Sequence, residues 1–485
     1  MPSPDGHLLT PGDTCWRTAR ADQFAYIIDG ADYFRHVKTA MLGAQQRITL
    51  IGWDFDARMT FERGDKDLSG PNQLGAFLYW LLWKRPALEI YVLKSNLRLL
   101  PAFDEIWYGI TPVSWVNRLT SKRMHFAIDG AHPTGAVHHQ KIVVIDDVMA
   151  FCGGIDLTLD RWDTSAHEGD DRRRRTLGRA YGPRHEVAAA VDGAAARVLA
   201  ELAHYRWTTA TGQTLDPVDA ESVWPTTLEP ALRGVDVGVA RTLPTLAGRT
   251  EVREVEALNL AAIAAARHII YLENQYLAAR DVAEALAVRL REPEGPEIVI
   301  VLPRSSESRL EQQAMDSARY LLLEMLWAAD EHGRLGVYWP AADGGTPIYV
   351  HSKVLAVDDR LLRIGSSNLN NRSMGFDSEC DVAIEAGPDD SPDSGVPGIV
   401  VSVRDQLMAE HLGVPPDEFT HARIERTSFL QAVDALRGEG RSLRKFTESM
   451  VAGEASPLAE NDFMDPASVP RSLTRSLQRL IEGLR

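Results

Sequence analysis

Two short stretches of the chain carry histidine, lysine and aspartate at identical spacings, a little over two hundred residues apart. In each stretch the lysine follows the histidine by two positions and the aspartate follows the lysine by five: His139, Lys141 and Asp146 in one, and His351, Lys353 and Asp358 in the other. Because side chains alternate between the faces of a β-strand, a histidine and a lysine two positions apart point to the same side. Each stretch therefore predicts one imidazole and one ammonium group facing a common spot.

A turn of small residues closes each stretch, and six residues separate its first glycine from the aspartate. These turns contain Gly153, Gly154 and Asp156 in the first copy, and Gly365, Ser366, Ser367 and Asn368 in the second. The valine and isoleucine run after each lysine predicts a buried strand, and the paired aspartates that follow predict a tight turn. A hairpin-like return should then bring the glycine turn back beside the histidine and the lysine.

Alternating helix and strand patterns surround both stretches in the same order, which predicts an α/β protein built from two similar α-β-α sandwich halves. Pseudo-twofold symmetry would relate the halves and put the active site at their interface. Glu186 and Glu379 fall at matching places in the two repeats. The expected segments are a lead-in over 1–24, a first half over 25–211 with its motif at 139–156, a linker over 212–245, a second half over 246–415 with its motif at 351–368, and a helical C-terminal extension over 416–485 whose final residues, 472–484, have helical leucine spacing.

Imidazole, ammonium and amide groups that converge on one point suit a phosphate diester. The two lysines and Asn368, with Ser366 or Ser367, would stabilise the negative charge that grows on the phosphoryl oxygens. One histidine would attack phosphorus and the other would protonate the leaving alcohol. Each needs an acceptor on its far ring nitrogen, and Glu186 and Glu379 are the candidates. Each histidine comes with a lysine whose cation would repel a metal ion, so we predict no metal and no cofactor for this protein.

This paired pattern resembles the HKD motif of the phospholipase D superfamily in its two-motif, single-chain form. The similarity extends to Gly153–Leu157, 161–164, 271–276 and 365–374. The resemblance implies that His139 is the nucleophile and His351 the general acid and base, and that Lys141, Lys353 and Asn368 bind phosphate. It also implies a structural role for Asp146 and Asp358. Asp156 stands where the second half has Asn368, so the site should be asymmetric because an ionised carboxylate cannot donate a hydrogen bond.

The resemblance implies a phosphodiesterase that releases phosphatidate from phospholipids through a phosphohistidine, with water or an alcohol as acceptor. A cardiolipin synthase-like phosphatidyltransferase is a second reading, although such proteins usually carry N-terminal membrane helices that this sequence lacks. A nuclease of the superfamily is a third. A protein with a relict site is the fourth, and the intact histidine and lysine in both halves speak against it.

Composition restricts the partners. The formal net charge of −16 argues against a nucleic-acid partner, which needs a positive surface, and against a broadly basic membrane-binding face. Three cysteines are too few for a disulfide framework or a zinc site. The N-terminus shows no secretory signal, and no window is apolar enough for a transmembrane span. We therefore expect a cytoplasmic protein, with peripheral contact to the membrane that holds its substrate.

Overall fold

The computed structural model describes residues 6–96, 106–107, 111–112, 121–246, 248–307, 315–387, 395–451 and 465–468. The strands in this part of the chain are β1 (Arg17–Ile28), β2 (Arg47–Gly52), β3 (Glu89–Ser95), β4 (Ile106–Trp107), β5 (Thr111–Pro112), β6 (Met124–Asp129), β7 (Ile142–Ile145), β8 (Met149–Gly153), β9 (Arg175–Thr176), β10 (Arg179–Ala180), β11 (Arg184–His185), β12 (Val187–Asp192), β13 (Leu232–Leu243), β14 (Val252–Arg253), β15 (Ile269–Glu273), β16 (Glu297–Val301), β17 (Leu335–Ala341), β18 (Tyr349–Val350), β19 (Val354–Val357), β20 (Leu361–Gly365), β21 (Glu379–Glu385) and β22 (Ser442–Lys445).

The helices of the same residues are α1 (Gly30–Gly43), α2 (Leu74–Lys84), α3 (Gly193–Thr211), α4 (Glu254–Ala265), α5 (Arg280–Arg291), α6 (Ser317–Ala329), α7 (Gly395–Leu412), α8 (Pro416–Arg426), α9 (Phe429–Leu436) and α10 (Glu448–Val451). A short 3₁₀ turn spans Asp343–Gly345, and a π-helical turn spans Arg372–Phe376 just after the second motif.

One continuous sheet runs through both halves. Its strand order is β22-β17-β16-β15-β19-β20-β21-β13-β1-β12-β8-β7-β2-β3-β6, with β14 paired to β13. Apart from β22, the order reads the same outward from the centre in both directions, because β13 and β1 occupy equivalent places and pair antiparallel there. This arrangement confirms the predicted α/β fold with two halves related by a pseudo-twofold axis.

The two motif stretches form the hairpins that their sequences predict. Strands β7 and β8 pair antiparallel, with Ile142 opposite Cys152, and β19 and β20 pair likewise, with Val354 opposite Ile364. Each hairpin packs beside a parallel strand group, β2-β3-β6 in the first half and β15-β16-β17 in the second. The glycine at the end of each hairpin therefore returns next to the histidine and lysine that precede its first strand.

Helices cover both faces of the sheet, which gives three layers. On one face, α3, α7, α8 and α9 share a single apolar core with strands of both halves. On the other face, α1 and α2 form the core of the first half, whereas α4, α5 and α6 form that of the second. The shared core fixes the relative position of the halves, and so the position of the site between them.

Three predicted boundaries differ from the structure. The expected lead-in over 1–24 contains the start of β1, and the expected linker over 212–245 contains β13. Both strands mix polar with apolar residues, and for this reason their sequences did not predict strands. These strands lie next to each other at the centre of the sheet, where apolar residues are needed only at the buried positions. The helical extension also supplies an edge strand, β22, which pairs with β17. The predicted helix over 472–484 lies outside the described residues.

Among the described residues, none of the helices combines the length and the apolar character that a membrane crossing needs.

Candidate active site

His139 lies at the boundary between the two halves. Its backbone N–H donates to the carbonyl oxygen of Ser378 (2.9 Å), and the N–H of Ser378 donates to Val137 (3.1 Å). These bonds attach the first motif to the residue that precedes Glu379. The Nδ1 atom of His139 then lies 3.1 Å from each carboxylate oxygen of Glu379. Glu379 is fully buried, and Ser366 Oγ (2.5 Å) and Ser373 Oγ (2.6 Å) donate to it.

His351 repeats this arrangement with the partners exchanged. Its backbone N–H donates to the carbonyl oxygen of His185 (2.9 Å), beside the short parallel pair β11 and β18. The Nδ1 atom of His351 lies 2.9 Å from Oε2 of the buried Glu186. Each half thus supplies the carboxylate that faces the histidine of the other half.

The two lysines are buried and point at their own motifs. Lys141 Nζ donates to the carbonyl oxygen of His139 (2.8 Å) and lies 3.3 Å from Asp156 Oδ2. Lys353 Nζ donates to the carbonyl oxygen of His351 and to Gln275 Oε1 (3.2 Å). Among the described residues, a carboxylate lies at ion-pair distance from Lys141 but not from Lys353, so the site is asymmetric.

Gly154 brings the two motifs into contact. A Cβ atom at this position would lie 3.0 Å from the carbonyl oxygen of His351, 3.2 Å from Glu186 Oε2 and 3.4 Å from Lys353 Cδ. A side chain on the first motif's turn would therefore press on the second motif. The absence of a Cβ atom lets the two stretches meet.

The pKa shifts of the two histidines also indicate that the halves form one shared site. Burial, and then the charges of Lys141 and Lys353, hold the pKa of His139 well below its ordinary value. Burial, and then Lys353 and the neighbouring arginines, do the same to His351, and Lys141 of the first half adds to this effect. Both lysines thus act on both imidazoles, which are neutral near pH 7 in the free protein.

Burial shifts the charged partners as well. It raises the pKa of Glu186 to about 7 and that of Glu379 to about 8, against the opposing effect of nearby cations and hydroxyls. It lowers the pKa of Lys353 to about 7, against the attraction of Glu186. The site therefore holds groups that exchange protons close to neutral pH, as acid–base chemistry requires.

Asn368 and the two serines beside it have different surroundings. Asn368 is almost fully buried, and its Oδ1 atom has no hydrogen-bond partner among the described residues. The hydroxyl of Ser366 donates to Glu379, and that of Ser367 donates to Asp381. Buried carboxylates already hold both hydroxyls, so these contacts fix the turn, and substrate binding by the two serines stays a prediction.

The motif aspartates hold backbone rather than face the site. Asp146 accepts the N–H groups of residues 45–47 at 2.6–2.8 Å, and Asp358 accepts those of residues 267–269 at 2.8 Å. Each carboxylate thus caps the start of the strand next to its hairpin. Asp156 similarly accepts from the N–H of Trp53 (2.9 Å). Gly365 allows close approach, because a Cβ atom there would collide with Asp381.

Three residues that sequence reasoning did not single out complete the site. Ser373 holds Glu379, and Gln275 holds Lys353. Arg184 Nη1 lies 3.9 Å from Glu186 Oε1, and its guanidinium group packs over the ring of Tyr349. Gln275 and Ser373 lie in stretches that carry the resemblance, and Arg184 lies two positions before Glu186, so proximity in sequence was the available signal.

The comparisons with known proteins agree with this geometry. Residues 343–456 match the family described as Phospholipase D, and residues 260–389 match the one described as Cardiolipin synthase, PLD-like domain. The chain is 25% identical to Phospholipase D A of Dictyostelium discoideum over 80% of its own length and 35% of the relative's. It is 23% identical to Phospholipase D1 of Schizosaccharomyces pombe over 97% of its own length and 42% of the relative's.

The chain thus spans well under two thirds of the length of these relatives. Among solved structures, the phosphatidylserine synthase of Haemophilus influenzae Rd KW20 superposes with a TM-score of 0.52 at 13% identity, covering 86% of this chain and 96% of the other. That likeness concerns the fold. Taken together with the paired motifs, the family matches over residues 260–456 and the phospholipase D relatives support the phospholipase D superfamily as the family of this chain.

Proposed function

We propose that the chain is a phospholipase D-type phosphodiesterase, which hydrolyses phospholipid head groups and releases phosphatidate through a phosphohistidine. The observation that carries this proposal is the exchange of carboxylates between the halves. Each histidine has a buried glutamate on Nδ1, so Nε2 of each is left for chemistry at a single site. The lysine beside each histidine supplies positive charge for a phosphoryl group.

In the first step, Nε2 of His139 attacks phosphorus and the bond to the head-group oxygen breaks. His351 gives its proton to that oxygen, so the head group leaves as a neutral alcohol. Lys141, Lys353 and the amide of Asn368 stabilise the charge on the non-bridging oxygens, which is greatest in the five-coordinate transition state. The products are the free alcohol and a phosphatidyl group bound to His139.

In the second step, His351 accepts a proton from water while the water oxygen attacks phosphorus. The phosphorus–nitrogen bond breaks, which frees His139 and phosphatidate. A primary alcohol in place of water gives a phosphatidyl alcohol by the same step. One histidine therefore acts first as an acid and then as a base.

The protonation states support these roles. The lowered pKa of His139 leaves it neutral and able to attack, and Glu379 stabilises the positive charge that the ring gains. His351 must be protonated when substrate is bound. The phosphodiester brings a negative charge between the lysines, which offsets the cationic field that lowers the pKa of His351 and favours its uptake of a proton.

The named relatives support the class of substrate. Both are phospholipases D, which favours a phospholipid at a membrane surface as the substrate, and we propose a cytoplasmic protein that contacts that surface peripherally. A second candidate function is transfer of the phosphatidyl group to an alcohol on another lipid. The match of residues 260–389 to the cardiolipin synthase family favours it, and it differs only in the acceptor.

The test is release of the head group from phosphatidylcholine and phosphatidylglycerol vesicles, with and without a primary alcohol, and with single-stranded DNA as an alternative substrate. We expect head-group release that disappears in His351→Ala and persists in His332→Ala, a substitution of an exposed histidine. Release that requires an alcohol would support the transferase. Cleavage of DNA alone would contradict both proposals.

A further inference from the structure

A second set of titratable side chains lies behind the second motif, outside the phosphate site. It consists of Asp29, His167, His185 and Glu410, and we name it the histidine–carboxylate cluster. One ligand-type atom of each residue lies within 4.8 Å of the others. Asp29, His167 and His185 are at most 1% exposed, and the side chain of Glu410 is 8% exposed. The residues come from four separate segments, so only the folded chain assembles them.

Four of the six separations between the residues of the cluster lie near the edge length of a tetrahedral site, with Asp29 measured at a different oxygen for each histidine. His167 Nε2 lies 3.1 Å from Glu410 Oε1 and 3.5 Å from Asp29 Oδ2. His185 Nδ1 lies 2.9 Å from Glu410 Oε1 and 3.5 Å from Asp29 Oδ1. Four ligands at zinc's bond lengths of about 2.0–2.1 Å lie about 3.3 Å apart. The observed separations bracket that value.

Each imidazole of the cluster has a carboxylate on its other ring nitrogen. His167 Nδ1 lies 2.9 Å from Asp163 Oδ2, and His185 Nε2 lies 3.0 Å from Glu273 Oε2. Metal-binding histidines have this arrangement, because the outer carboxylate takes the N–H and turns the other nitrogen's lone pair toward the ion. Arg174 Nη1 in turn donates to Asp163 (3.0 Å), and Ser352 Oγ donates to Glu273 (2.6 Å). Both outer carboxylates are therefore fixed in place.

The charges around the cluster and an unpaired oxygen of Asp29 also favour a bound cation. Against the effect of burial, the carboxylates of Asp29, Glu410 and the two outer acids raise the pKa of His167 to about 9 and that of His185 well above its ordinary value, so this buried region attracts cations, either protons or a metal ion. The Oδ2 atom of Asp29 is buried and has no hydrogen-bond partner among the described residues, although it faces His167. Burying an unpaired anionic oxygen is costly unless a cation compensates it.

From these contacts we propose that the histidine–carboxylate cluster binds a divalent transition-metal ion, with zinc the best fit to two imidazole nitrogens and two carboxylate oxygens in a tetrahedron. Four protein ligands leave no open position, so the ion is structural. The site is distinct from the phosphate site but adjoins it. The N–H of Glu186 donates to Asp29 Oδ1 (3.1 Å), and that of Asp29 donates to the carbonyl oxygen of Glu186 (2.8 Å). The ion therefore steadies the carboxylate that orients His351.

The test is the metal content of the full chain, prepared without a histidine tag and passed through metal-free buffer after incubation with zinc, measured by inductively coupled plasma mass spectrometry. We expect about one zinc per chain, as for a closed structural site. His167→Ala and the milder Glu410→Gln should each lose most of it. His204→Ala, which removes a partly buried histidine paired with Asp147 elsewhere, should retain it.

Two further readouts do not depend on activity. The unfolding temperature of the parent should fall on addition of a chelator and recover with zinc, whereas that of Glu410→Gln should respond to neither. Cobalt(II) in place of zinc should give the intense visible bands of a tetrahedral site. A parent chain without bound metal after incubation with zinc would overturn the proposal, because the imidazoles would then hold protons instead. Zinc that remains in both variants would overturn it too, since the ion would lie elsewhere.

Discussion

Replacing Glu379 with glutamine tests the role of the exchanged carboxylates most directly. The substitution preserves shape. Ser366 and Ser373 donate to different oxygens of Glu379, so in the glutamine variant one of them still donates to the amide oxygen and the other can accept from the amide N–H. The substitution removes the charge that Glu379 carries above its pKa of about 8, at 3.1 Å from His139 Nδ1. An amide N–H turned toward that nitrogen would also force the ring's proton onto Nε2, which could then no longer attack phosphorus.

The expected loss has two parts. A hydrogen bond to a charged group contributes about 1.5–3 kcal/mol, or roughly a 10- to 150-fold change in rate. A wrong tautomer costs more, as when the carboxylate of a serine-protease triad becomes an amide and kcat falls about 10⁴-fold. We therefore expect kcat of Glu379→Gln to fall by about 10² to 10⁴, with KM for vesicle substrate little changed because the residue does not touch the lipid.

The matched variant is Glu186→Gln, which acts on His351 and therefore on protonation of the leaving group. A p-nitrophenyl phosphodiester separates the two, because p-nitrophenolate leaves without a proton. Single-turnover assays should show that this substrate restores the first step in Glu186→Gln but not in Glu379→Gln. If Glu379→Gln keeps its rate within about fivefold of the parent, less than about 1 kcal/mol, the proposed role of Glu379 is refuted. Equal rescue of both variants would contradict the assignment of His139 as the nucleophile.

Four further outcomes follow from the same contacts. Loss of the Glu379 proton, at a raised pKa of about 8, should give the pH–rate profile a rising limb, against the falling limb that follows when Lys353 loses its charge at a pKa of about 7; the profile of Glu379→Gln should keep the falling limb and lack the rising one. Asn368→Asp adds a carboxylate to the phosphate pocket and should lower the steady-state kcat by at least about 100-fold, as the loss of a preorganised donor does. An unchanged rate would contradict the role of Asn368. Gly154→Ala should lower kcat with little change in the unfolding free energy measured in urea, because the added carbon would lie 3.0 Å from a carbonyl oxygen of the second motif. Full activity would show that the two motifs can accommodate the extra carbon. Asp146→Ala removes the acceptor of three backbone N–H groups and should lower the unfolding free energy, measured by urea titration, by roughly 2–4 kcal/mol. Asp358→Ala should show a similar loss, and the exposed Asp359→Ala a smaller one.

Much of the local structure could be predicted from the sequence, because it depends on spacing along the chain. The two-residue step from histidine to lysine, the apolar runs and the paired aspartates predict a hairpin in each half, and the structure contains both. The repeat of the pattern predicts two halves. Spacing could also identify Glu186 and Glu379 as equivalent positions, because each follows its motif at a corresponding place in the repeat.

Only the tertiary structure decided which glutamate serves which histidine. The antiparallel pairing of β1 with β13 turns the halves toward each other, so that Glu379 faces His139 and Glu186 faces His351. Nothing in the sequence indicates that these two strands are central, because polar residues interrupt both apolar patterns. The sequence also could not show that the hydroxyls of Ser366 and Ser367 bond to buried carboxylates, or that Asp29 and Glu410 meet two histidines. Those contacts join residues far apart in the chain, and packing of the sheet and helices fixes their distances, whereas spacing governs only near neighbours.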